Sequence, residues 1–110
     1  MDLSRYQKLA ARTINPELDG LNTMRHGLFT LSSETGEVLG LFQKEYQGHP
    51  LEREHLVKEL GDCLWAIAEI CTSCDLDMSE IAETNIEKLE ARYPNGFTTE
   101  NSLHRAEVDI

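Results

Sequence analysis

A chain of 110 residues suits one domain with a single core and is too short for two. Twenty acidic residues against ten basic ones give a formal net charge of −10, which opposes attraction to nucleic-acid backbones and admits a polyphosphate only where cations or local basic groups reverse the field. No apolar run approaches the roughly 18 residues of a membrane span, the N-terminus lacks the apolar stretch of a secretory signal, and three cysteines, an odd count, read as reduced thiols of a cytoplasmic protein.

The pattern Leu3, Tyr6, Leu9, Ala10 predicts a short amphipathic helix from Leu3 to about Thr13, ended by Asn15-Pro16 because the residue before proline avoids the helical region. A second helix is predicted from about Leu21 to Gln47, stopped by Gly48. Pro50 then fits the first position of a third helix that extends to about Cys74, with Glu52 and Glu54 in its first turn. Asp77-x-x-Glu80 reads as a capping box opening a fourth helix through Arg92, and Pro94-Asn95-Gly96 breaks it. Residues 1–97 make the expected domain, and 98–110 a polar tail, mobile or packed on a neighbouring subunit. Only helical periods occur, so the expected class is all-α, a four-helix bundle.

Four acids stand out within this frame. With Leu31 as the direction of the core, about 100° per residue places Met24, Leu28, Thr35, Val38 and Phe42 in one stripe, with Glu34 about 60° and Glu37 about 120° to one side. From Leu56, the same projection gathers Leu60, Cys63, Ile67, Ile70 and Cys74, and sets Glu59 and Asp62 at the same offsets on the same side. One such pair on an acidic helical protein is usually a solvated face. Two pairs in matching positions beside apolar seams favour a shared metal, because crowded carboxylates are costly to desolvate unless a hard divalent cation neutralises them.

Other features carry less. Lys88 and Arg92 stand one turn apart and can present two cations to one anion; alone they would pair with Glu87 or Glu90, and beside the acid quartet they read as phosphate contacts. Cys71-x-x-Cys74 lacks a second half for zinc. His26, His49, His55 and His104 form no catalytic spacing and read as surface or cap residues. Val57, Leu64, Trp65 and Ala68 give the third helix a second apolar face, which predicts homo-oligomerisation and an interface role for Trp65.

Glu34-x-x-Glu37, then about twenty residues, then Glu59-x-x-Asp62 followed by Cys-Leu-Trp, resembles the signature of the MazG-type all-α nucleoside triphosphate pyrophosphohydrolases. Asn85-Ile-Glu-Lys88-Leu-Glu-Ala-Arg92-Tyr-Pro-Asn-Gly-Phe97 is similar to the segment that follows in small bacterial and phage members. The resemblance implies Mg²⁺ ligands at Glu34, Glu37, Glu59 and Asp62, with Mn²⁺ as substitute. It also implies phosphate contacts from Lys88 and Arg92, a nucleotide contact from Asn85, and a homodimer or homotetramer acting on nucleotides rather than nucleic acid or membrane. Ser33 and His55 depart from family patterns that have an acid and a lysine there. Rival readings are a phosphoribosyl-ATP pyrophosphohydrolase-like enzyme, or a non-catalytic helical module that binds nucleotide or builds oligomers.

Overall fold

In the computed structural model, which describes residues 1–105, the chain forms α1 (Leu3–Ala11), α2 (Gly20–Tyr46), α3 (Arg53–Ser73), α4 (Met78–Arg92) and a short α5 (Thr99–Leu103). Among the described residues it is all-helical, as the periodicity predicts, and no helix is long and apolar enough to cross a membrane. Side-chain caps fix most of the starts. Asp2, Asp19, Asp77 and Thr98 each accept a backbone N–H from the first turn that follows, satisfying donors that have no helical partner.

Two expectations shift. Pro50 lies in the connection, and α3 starts after Glu52, whose side chain makes no capping bond. Gly48 adopts a left-handed φ of 99° while His49 N–H closes back on the Lys44 carbonyl, so the residues that follow are spent reversing the chain. The tail is also not wholly irregular, since Thr98 caps α5; residues 106–110 lie outside the described residues.

The α2 and α3 helices form an antiparallel hairpin, and α1 lies across α3 and against the start of α4. Gln7 holds that corner together. Its Nε2 donates to the Leu76 carbonyl at 2.7 Å and its Oε1 accepts from Met78 N–H at 2.8 Å, completing the turn between α3 and α4 from a third element. The core gathers Ala10, Ala68, Cys71 and Met78, with Leu3, Tyr6 and Trp65 packed against it.

Part of the second apolar face assigned to α3 is therefore covered within the chain. Ala68 is buried, and Trp65 packs on α1 with its indole N–H donating to Thr13 Oγ1 at 2.7 Å, which corrects its assignment to an outer face. Val57 and Leu64 stay exposed.

The seam carrying the acids is the wetter part. Leu28, Phe42 and Leu60 of the projected stripes remain 48%, 43% and 50% exposed, because α4 packs on α1 rather than closing over α2 and α3 as a fourth wall. The radius of gyration, 17.1 Å, exceeds the roughly 13 Å of a compact chain of this length. Its accessible surface, 8366 Å², likewise exceeds the roughly 6200 Å² expected for a compact monomer of 12.5 kDa.

Candidate metal centre

Glu34 sits midway along α2, and Glu59 and Asp62 stand one turn apart on α3. The hairpin sets these arms side by side, so that one carboxylate oxygen from each of the three residues lies within 4.8 Å of the others. Glu34 and Glu59 are half-buried and Asp62 faces solvent.

The electrostatics follow from the crowding. Desolvation first, then a hydrogen bond with Glu59, then the charges of Asp62, Glu59 and Glu37 push the Glu34 carboxyl above its ordinary range. The Glu34 carboxyl therefore gives up its proton less readily than an ordinary glutamate, because its neighbours across the hairpin are acids. Cys63 lies beside them: burial, then Glu34, Asp62 and Glu59, push its thiol up and keep it protonated. Tyr6 brings a phenol from α1 into the same field, with burial and then Asp62 pushing it up. His55 Nε2 lies 3.3 Å from Glu59 Oε1, one turn earlier on α3.

Three oxygen donors from two helices, drawn together against like-charge repulsion, form a donor set for a hard divalent cation.

The remaining expected site residues are placed differently. Glu37 is exposed and outside the three-acid group, although its charge reaches Glu34. Asn85 and Lys88 are exposed on α4, and Arg92 is half-buried at its end. The main contacts of α4 are with α1 rather than with α2 or α3, and among the described residues the charges that raise Glu34 are those of Asp62, Glu59 and Glu37. A surface cleft of about 390 Å³ lies elsewhere, between α1, the end of α3 and the start of α4, lined by Ser4, Gln7, Thr72 and Asp77 among others.

Sequence reasoning passed over one pair entirely. His26 Nδ1 lies 2.7 Å from Glu69 Oε1, and Glu69 is 1% exposed. The available signal was a lone acid inside the apolar run Trp65-Ala-Ile-Ala-Glu-Ile-Cys71.

An all-α hairpin that brings carboxylates from both arms to one spot presents an oxygen donor set that could hold a cation. Residues 23–97 match the model of the MazG nucleotide pyrophosphohydrolase domain, and the chain belongs to that family. Over 81 residues it is 26% identical to the Gene 37 protein of Mycobacterium phage L5, a match that covers 72% of this chain and 71% of that protein. No solved structure matches. The family match spans all four acids and the α4 residues, and leaves α1 with Tyr6 outside it.

Proposed function

We propose that this protein hydrolyses nucleoside or deoxynucleoside triphosphates to the monophosphate and pyrophosphate, using Mg²⁺, or Mn²⁺ in its place, held by Glu34, Glu59 and Asp62. The observation that carries this reading is the convergence of those three carboxylates within 4.8 Å from two helices of a MazG-family chain. Glu37, one turn beyond Glu34, adds a fourth acid on rotating its side chain inward. A divalent cation held by Glu34, Glu59 and Asp62 would offset the negative charge of the triphosphate and make the attacking water more acidic.

The chain's own residues do the rest. Glu34 or Glu37 accepts the proton of the attacking water. Lys88 and Arg92 hold the departing pyrophosphate, Arg92 through a planar fork suited to phosphate oxygens, and Asn85 contacts the nucleotide. Most of the rate enhancement then comes from positioning and electrostatics.

A second copy supplies what one chain leaves apart. The half-wet seam and the excess accessible surface, about 2000 Å² over a compact monomer, are on the scale that a stable homodimer buries. In that assembly α4 of one copy brings its basic residues to the acids of the other. The biological role fitting such an enzyme is cleansing of surplus or non-standard nucleotides in the cytoplasm.

The test is a pyrophosphate-release screen across common and damaged dNTPs and NTPs, with and without Mg²⁺. Cation-dependent release from at least one of them is expected. Failure of every substrate under single-turnover conditions would reduce the chain to a nucleotide-binding or oligomer-building module.

A further inference from the structure

We infer that Glu69, with His26 and Gly27, is a positioning group that sets the axial register of α2 against α3 and thereby the affinity of the acids for a cation. This rests on the metal-dependent reading above and extends it to residues that touch neither cation nor substrate.

Glu69 is costly where it stands. Its carboxyl group is almost wholly buried, Oε1 meets the half-exposed imidazole of His26, and Oε2 has no hydrogen-bond partner among the described residues. An apolar residue in place of a buried, half-satisfied polar pair commonly breaks even or better, so stability alone does not explain an acid at this position. What the pair provides is direction, since the hydrogen bond at 2.7 Å fixes one point of α2 to one point of α3.

The neighbouring contact makes that point unforgiving. A Cβ on Gly27 would lie 2.7 Å from Ile70 Cγ1, 3.3 Å from Ile70 N and 3.3 Å from Glu69 Oε1. The two helices therefore touch through a bare backbone here, and sliding either one drives a side chain into it.

Burial is concentrated at the same end. Thr23 and Gly27 are the buried residues of α2, and Ala66, Ala68, Glu69 and Cys71 those of α3. The stretches that bear the acids hold only half-buried residues such as Leu31, Val38, Leu56 and Cys63, so packing locates Glu34 against Glu59 and Asp62 less firmly than the buried end does. Their alignment is carried from the clamp along stiff helix, about 12 Å from His26 to Glu34 and about 10 Å from Glu69 to Asp62 at 1.5 Å per residue. Ligand sets tolerate errors of only about 0.5 Å, which a loosened register would exceed.

The experiment compares Mn²⁺ binding by titration calorimetry with melting temperature in wild type, Glu69→Leu, Glu69→Gln and His26→Ala. Glu69→Leu should melt at or above the wild-type temperature yet bind Mn²⁺ about tenfold more weakly, the scale of losing an outer support of a metal site. Glu69→Gln, which can still accept from His26 Nδ1–H, should restore most of that affinity. Should Glu69→Leu not fold, His26→Ala is expected to show the same loss of Mn²⁺ affinity. Unchanged Mn²⁺ affinity in the folded variants overturns the positioning role and leaves the metal reading standing; no Mn²⁺ uptake by wild type overturns both.

Discussion

Glu34 of α2 and Glu59 of α3 bring carboxylate oxygens within 4.8 Å of each other across the helical hairpin, and desolvation with that crowding raises the Glu34 carboxyl. Because the Glu34 carboxyl is raised above its ordinary value of 4.5, its contribution to folding is fully present below that value and is lost as pH rises through the higher folded one. The metal-free protein should therefore melt at progressively lower temperature across that window. A cation held there would offset the charge that crowds the site as Glu34 ionises, so the rise in melting temperature on adding Mg²⁺ should be larger near neutral pH than in mild acid. Calorimetric scans at several pH values, with Mg²⁺ and with chelator, check this; an equal rise at every pH would separate Glu34 from the cation.

Removing one carboxylate should trade stability for function. Glu34→Gln is expected to raise the melting temperature of the metal-free protein, by relieving repulsion, and to cut Mg²⁺-dependent pyrophosphate release by about 100-fold or more. Glu37→Gln should also impair release while the fold survives, with a smaller effect on Mn²⁺ affinity because Glu37 stands outside the three-acid group. Steady-state pyrophosphate assays and titration calorimetry on the two variants test the ranking. Wild-type release in Glu37→Gln would remove that residue from the site.

Basic residues supplied in trans leave a clear signature. Glu34→Gln and Arg92→Ala should each be nearly inactive alone, and mixing them after unfolding and refolding together should recover activity, because some assemblies then hold one intact set of acids facing one intact α4. Light scattering on the wild type should give a mass above 12.5 kDa. A monodisperse monomer, or mixtures that stay inactive, would confine the site to one chain.

Trp65 offers a test of how α1 is held. Its indole N–H donates to Thr13 Oγ1 at 2.7 Å, and Thr13 in turn donates to the Ala10 carbonyl at 2.7 Å. Trp65→Phe and Thr13→Val should each cost about 1 kcal/mol in urea unfolding, with a double variant costing less than the sum. Additive losses would mean that the bond contributes nothing to stability.

By itself the sequence determined the number and limits of the main helices, because a 3.6-residue apolar period and capping aspartates act over a few residues of local chain. It also marked Glu34, Glu59 and Asp62 as candidates, since matching offsets on two helices follow from the rise and turn of a helix alone. Only the tertiary structure decided which side of each helix is dry. Projection treated Leu28, Phe42 and Leu60 as core, yet α1 covers the Trp65 and Ala68 side of α3 while α4 leaves the Leu60 side open. The separation of Glu37 from its three companions, the packing of α4 on α1, and the bond between His26 and Glu69 were invisible for the same reason. Each depends on how helices far apart in sequence are set against one another, and no local period encodes that.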